Sequence, residues 1–175
     1  MKKRIALILG ILCLLLFISP LFFNFSDPLA LSSEEIAELR KEYPEQNSVK
    51  QTVTFDPPSL AEAAEEYGLF HVEIISFHHL GTYKARVISD SKNRVAPGTE
   101  IQLKLKQFGF LAVFDVGTEI LVPAAENKYG VFEAFTFLSY YVTESDHILS
   151  VRTDLYSDPT YNGHTLQNTW KELVK

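Results

Sequence analysis

The sequence has a single cysteine among its 175 residues, Cys13, which lies within an apolar run near the start of the chain. No intramolecular disulfide can therefore form, and the polar remainder of the chain has no thiol for a metal site or a nucleophile. Leu12 precedes Cys13, whereas a lipidation site needs a small residue there, so we interpret Cys13 as a buried or lipid-facing thiol. The part of the chain after this apolar run must be held together by its own hydrophobic core.

Basic residues are also scarce after Lys2, Lys3 and Arg4, and the next one along the chain is Arg40. All 22 Asp and Glu follow the apolar run, together with 13 of the 16 Lys and Arg, which leaves that part of the chain with a net charge of −9. Such an acidic domain repels phosphate backbones and anionic lipid surfaces at long range. We therefore expect no nucleic-acid partner.

Residues 5–23 are almost wholly apolar. A helix of about 20 residues spans the hydrocarbon core of a bilayer, which is about 30 Å thick. With basic residues only on its N-terminal side, the positive-inside rule predicts a cytoplasmic N-terminus and a single-pass protein of the cell membrane whose remainder is extracytoplasmic. The length favours a retained anchor, but Pro20 and the small residues Ala30 and Ser32 leave a cleaved signal peptide and secretion open.

Capping signals predict three helices. Ser32 and Glu35 form a capping box at the start of a short amphipathic helix, which either packs on the domain or serves as a stalk near the membrane. Ser59 follows two prolines and starts a second helix that Gly68 ends. Thr165 starts the third, at the C-terminus.

Period-two alternation of apolar and polar residues predicts strands between these helices, at residues 71–76, 82–88, 100–106, 119–123, 131–142 and 148–151. With flanking helices and no βαβ rhythm, the pattern indicates a mainly β fold, a small antiparallel barrel or sandwich. We divide the chain into an anchor or signal sequence (1–25), a short helix with a linker (26–57) and a barrel domain with its C-terminal helix (58–175).

Five motifs follow one another in the barrel domain. They are Ser-Leu-x-Glu-Ala, Tyr-x-Ala-x-Val, Pro-Gly-x-x-Ile, Phe-x-Val-Gly and Gly-x-Thr-Leu, at residues 59–63, 83–87, 97–101, 114–117 and 163–166. In this order they resemble bacterial exported proteins with a netrin-like barrel, the oligonucleotide/oligosaccharide-binding (OB) fold of the tissue inhibitors of metalloproteinases. The resemblance implies an OB-like barrel over about two-thirds of the chain. It does not imply metalloproteinase inhibition, because the inhibitors use an N-terminal cysteine and this domain has none.

Aromatic residues are dense between positions 108 and 141 and exceed what strict alternation would bury. A barrel core with its covering loops is one explanation. The alternative is an exposed aromatic surface for a glycan, a peptide or a partner protein, on the barrel face and the connector 107–114. The candidate binding residues are Phe108, Phe110, Phe114 and Tyr141.

The histidines form no recognisable metal site. His78 and His79 are adjacent, so in a strand they face opposite sides, and no Cys-x-x-Cys or His-Glu-x-x-His motif is present. The domain also lacks Gly-x-Ser-x-Gly, Ser-x-x-Lys and a cysteine nucleophile. We therefore predict no metal, no cofactor and no catalytic residue, and a hydrolase ranks last among the function classes.

The sequence thus predicts a membrane-tethered, extracytoplasmic binding module without catalysis, whose ligand is not encoded in any motif. The alternative is an accessory subunit that docks on another membrane protein through its transmembrane helix. Only Ala6 and Gly10 are small residues spaced for such helix packing.

Overall fold

The computed structural model describes residues 27–46, 58–79, 81–106, 113–152 and 157–174. Residues 5–23, on which the predicted anchor depends, lie outside these ranges, and within them no helix is long and apolar enough to span a membrane. The described helices are α1 (Ser33–Leu39), α2 (Leu60–Tyr67) and α3 (Leu166–Leu173). The described strands are β1 (Leu69–His79), β2 (Thr82–Asp90), β3 (Glu100–Lys106), β4 (Glu119–Glu126), β5 (Val131–Phe135), β6 (Tyr140–Val142) and β7 (Ile148–Ser150).

The first five strands form a closed barrel in the order β1-β2-β3-β5-β4, because β4 pairs back onto β1 over Leu69↔Pro123 to Glu73↔Glu119. This small, mainly β barrel with flanking helices is consistent with an OB-like fold. One part of the prediction is wrong: β3 and β5 are parallel, with Leu103 opposite Phe132. Parallel strands need a long crossover, and here the whole of β4 lies between them in the chain. Alternation within each strand does not reveal that direction.

The core of the barrel follows the alternation of the sequence. Tyr83, Ala85 and Val87 of β2 are buried, and so are Ile101, Leu103 and Leu105 of β3. Their neighbours in the chain, such as Arg86 and Lys104, are exposed. These inward and outward faces are as predicted. A second core on the outside of the barrel lies between α2, β4, β6 and α3 and includes Leu60, Leu121, Tyr140 and Ile148.

The predicted long strand at 131–142 is interrupted by a 3₁₀ helix, Thr136–Leu138. On both sides of this helix the chain pairs antiparallel with β4: β5 with its C-terminal half and β6 with its N-terminal half. Phe137 and Leu138 of the interruption are buried in the second core. The 3₁₀ helix therefore lets one segment contribute to the barrel first and then to the β6–β7 hairpin beside it.

Both ends of α2 form as the sequence predicts. The Ser59 hydroxyl accepts the Glu62 backbone N–H, and the Glu62 carboxylate accepts the Ser59 N–H, which completes the capping box. Gly68 ends the helix at φ +82 and ψ 158, a conformation that is essentially restricted to glycine. The chain can therefore enter β1 directly from the helix.

The loop between β2 and β3 closes one end of the barrel through Arg94 and Asp90. Arg94 donates to both carboxylate oxygens of Asp90, and its guanidinium lies 4.6 Å from the centroid of the Phe70 ring. It also donates to the carbonyl oxygens of Tyr67, at the end of α2, and Ala124, in β4. Burial disfavours the charged form of Asp90, but the hydrogen bonds from Arg94 and from backbone N–H groups outweigh this and lower the pKa of Asp90. One ion pair thus joins α2, β1, β2 and β4.

Arg94→Met should destabilise the fold by about 3 kcal/mol, the lower end for breaking a buried ion pair, because backbone N–H groups still solvate Asp90. Urea unfolding of the detergent-solubilised chain, followed by fluorescence of its only tryptophan, Trp170, measures this loss. The control Glu100→Gln removes the half-exposed Lys84–Glu100 pair and should cost less than about 1 kcal/mol. Equal losses in the two variants would contradict the role given to Arg94.

Gly68→Ala should also be costly, by about 2–3 kcal/mol, because it combines an unfavourable backbone conformation with a clash. A Cβ atom at Gly68 would lie 2.7 Å from Arg94 Nη2. Gly98 also has a positive φ, of +84, but a Cβ there meets nothing within 4 Å, so Gly98→Ala should cost only about 1–2 kcal/mol. The same urea titration compares the two variants.

Candidate functional site

Residues 27–46, which we call the strap, pack on the barrel. The core of the barrel is contacted from outside by Ile36, Leu39 and Tyr43. The predicted amphipathic face of α1 therefore lies on the domain. The strap approaches the chain before α3 so closely that a Cβ atom on Gly163 would lie 2.7 Å from Ile36 Cδ1. Of the two roles left open for this segment, a free stalk or a packed helix, the structure has the packed helix.

Two charged side chains attach the strap to the edge of the β6–β7 hairpin. Asp27 Oδ2 accepts the backbone N–H and the hydroxyl of Thr165 at 2.7 and 2.8 Å, at the N-terminus of α3. Arg40 donates to the carbonyl oxygen of Ser150 at 2.8 Å and to the side chain of Asn162 at 3.1 Å. The Arg40 contact satisfies one backbone carbonyl of β7, an edge strand of the sheet, while the Asp27 contact holds the start of α3.

The side chain of Gln46 holds the C-terminal end of the strap on the domain. Its Oε1 accepts the backbone N–H of Val113 at 2.8 Å, and its Nε2 donates to the carbonyl oxygen of the same residue at 2.7 Å. The same Nε2 lies 2.5 Å from Tyr141 Oη, which in turn donates to the carbonyl oxygen of Pro44. One amide group therefore links the strap, the segment before β4 and strand β6.

A cleft of about 520 Å³ lies between these three elements. One wall is the strap at residues 42–46, the opposite wall is the segment 113–119, and the β6–β7 turn at residues 143–146 closes one end. The rings of Phe114 and Tyr141 form its buried side, with their centroids 5.7 Å apart. On the outer lip, the side chains of Val113 and Val116 are 69% and 71% exposed. The cleft thus has an open mouth with apolar side chains beside it, and buried aromatic rings support it from below.

The charged side chains that line this cleft are acidic. Its lining includes five carboxylates, and none of the described lining residues is Lys or Arg. The carboxylates are Glu42, Asp115, Glu119, Glu144 and Asp146. Burial raises the pKa of Tyr141 although the hydrogen bond from Gln46 opposes this, so its phenol is neutral at physiological pH. The arrangement can bind a group that carries positive charge and apolar carbon together.

The predicted binding residues fall into two groups. Phe114 and Tyr141 are brought together in the cleft, but only 4% and 5% of their surfaces are exposed, so they support its buried side more than they offer a surface. Phe108 and Phe110 lie outside the described residues. The sequence interpretation missed Gln46 and the carboxylates, since single polar residues in separate loops carry no motif. Of the connector 107–114, residues 113 and 114 line the cleft, and residues 107–112 lie outside the described residues.

The histidines are spread over the domain. His71 Nε2 lies 2.7 Å from Glu119 Oε2 beside the cleft, and His147 Nε2 lies 2.9 Å from the carbonyl oxygen of Leu29 in the strap. His78 and His79 are exposed at the end of β1. In the part of the chain that the structure describes, no three His, Cys, Asp or Glu side chains are placed to hold a metal ion.

No family model, curated protein or solved structure matches this chain. The proposed function therefore rests on the closed barrel and the cleft.

The Asp27 contact should make the docking of the strap dependent on pH. Burial of Asp27 opposes ionisation, but hydrogen bonds from Thr165, Leu29 and Asn168 outweigh this and lower its pKa from 3.8 to about 2. A carboxylate with a lowered pKa stabilises the folded state above pH 4, and this contribution is lost as the pH falls towards 2. Urea unfolding at several pH values should therefore show a stability difference between wild type and Asp27→Asn that is constant above pH 4 and shrinks below it. A difference that grows on acidification would contradict this assignment.

Proposed function

We propose that the chain is a membrane-tethered, extracytoplasmic binding module without catalysis, and that its ligand binds in the cleft beside the strap. The observation that carries the proposal is the cleft itself, with an aromatic side formed by Phe114 and Tyr141 and a rim that carries five carboxylates. Ligand sites are commonly concave surfaces of mixed apolar and polar character, and in barrels they commonly lie at one end.

The chemistry of the rim favours a cationic ligand. A half-open cleft lined by charge of one sign concentrates ligands of the opposite sign and raises their rate of association. Val113 and Val116 add apolar area at the lip. A peptide or protein segment that alternates Lys or Arg with apolar side chains matches both features, and we propose this as the ligand class.

The proposal also includes the membrane tether at residues 5–23 and the netrin-like family. Support for the tether comes from the apolar run 5–23 and its basic N-terminal flank, which favour a single span with the barrel on the extracytoplasmic side. The netrin-like affiliation is supported by the five sequence motifs together with an OB-like strand order. An accessory subunit that docks through its transmembrane helix is the second candidate. It differs in a measurable way, because its partner would be lost when residues 5–23 are replaced by an unrelated apolar helix.

The cleft proposal predicts binding of a basic, apolar peptide. Isothermal titration of the full chain in detergent with the hexapeptide Lys-Val-Lys-Val-Lys-Val should show saturable binding that weakens as salt is added. Asp115→Asn combined with Glu144→Gln should weaken it about tenfold, because each exposed charge contributes up to about 1 kcal/mol. Both side chains are exposed, so the fold should tolerate the changes.

Two controls separate the cleft from general charge. Glu65→Gln combined with Glu126→Gln makes the same change in net charge at exposed positions outside the cleft, and it should leave the affinity unchanged. The peptide Glu-Val-Glu-Val-Glu-Val should not bind. Equal weakening by both double variants would mean that the peptide responds to net charge only, and the cleft would then not be the site.

A further inference from the structure

Asp27, the first described residue of the strap, is fixed to the N-terminus of α3. Besides the two contacts to Thr165, Asp27 accepts the side-chain amide of Asn168 at 2.6 Å and the backbone N–H of Leu29 at 3.0 Å. Two residues later, His147 of the β6–β7 turn contacts the carbonyl oxygen of Leu29. The barrel is therefore attached from residue 27 onward, and the chain between the apolar run and the domain is short.

The reach of that short connection can be bounded. Four peptide units separate residue 23, the end of the apolar run, from residue 27, and a fully extended chain covers at most about 14 Å over that distance. The headgroup region occupies about 5–8 Å on each side of the hydrocarbon core. If residues 5–23 span the bilayer, as the proposed function states, Asp27 lies within about 10 Å of the headgroup surface. Because the strap is part of the domain, the surface around residue 27 is held close to the headgroups.

The residues around the start of the strap define which surface lies nearest the bilayer. Leu29 is 66% exposed, and the contact of His147 with its carbonyl oxygen places the exposed turn at residues 144–146 beside it. We call Leu29 and this turn together the tether face. From residue 27 to residue 39 the strap contains no Lys or Arg, and the turn carries Glu144 and Asp146. Anionic lipids repel such a surface, whereas a zwitterionic headgroup layer lets it approach.

We infer that the tether face lies against the zwitterionic surface of the bilayer and that the cleft therefore opens at the membrane. The cleft adjoins the tether face directly, because Glu144 and Asp146 belong to both. The β4–β5 turn with Tyr129 lies at the opposite end of β4, seven residue steps or about 23 Å from Glu119 of the cleft. This inference rests on the proposed single span, and it makes the site selective for ligands presented close to the lipid surface.

Spin labels on the full-length chain test this orientation. In a Cys13→Ser background, nitroxides are attached at Ser145→Cys, in the tether face, and at Tyr129→Cys, which is 76% exposed at the far end. The protein is reconstituted into phosphatidylcholine vesicles that contain a lipid with nickel chelated at its headgroup. The lipid-bound nickel should relax the label at position 145 strongly and the label at position 129 weakly, while a soluble nickel chelate should relax both.

Two further measurements distinguish failure of the tether from failure of the orientation. Flotation with vesicles after carbonate extraction tests the anchor alone, and a chain that does not float would contradict the proposed tether itself. In a chain that floats, equal relaxation at positions 145 and 129 would overturn the orientation. Insertion of ten Gly and Ser residues between Ser26 and Asp27 leaves the strap intact but adds about 17 Å of reach, so the contrast between the labels should fall. An unchanged contrast in that variant would show that the short connection does not set the orientation.

Discussion

The ion pair between Arg94 and Asp90 is the constraint on which the barrel depends most. A small barrel has to bring its first strand back to its fourth, and the end where this happens needs cover for its apolar interior. Arg94 supplies this cover, since its planar guanidinium stacks on Phe70 while its N–H groups reach carbonyl oxygens of α2 and β4. Gly68 is required at the same place because it leaves room for that side chain.

The strap contributes to covering the edge of the sheet. The barrel is closed, but the β6–β7 hairpin extends the sheet and ends at β7. An unpaired edge strand can pair with other chains, and proteins commonly cover such edges. Most of the cover comes from the chain before α3, where residues 163 and 164 exchange backbone hydrogen bonds with Ile148, and the strap adds the contact of Arg40 to the Ser150 carbonyl oxygen. A domain cut at residue 58 would therefore keep the described strands but leave that carbonyl oxygen without its Arg40 donor.

Features encoded by neighbouring residues could be predicted from the sequence, and features formed by distant residues could not. The capping boxes at Ser32 and Ser59 and the bounds of β3 depend on residues a few positions apart, and the structure has them as predicted. Arg40 meets Ser150 across 110 positions, and Gln46 meets Val113 across 67, so no local pattern announces these contacts. The same holds for the acidic rim, which is assembled from three separate segments of the chain. Phe114 and Tyr141 stand out in the sequence as aromatic residues, but composition does not say that both rings are buried.

The hydrogen bonds of the Gln46 amide couple occupancy of the cleft to docking of the strap. Since the strap forms one wall of the cleft, the cleft exists as a shaped site only in molecules whose strap is docked. Occupancy of the cleft and docking of the strap are then thermodynamically linked, so each must favour the other by the same free energy.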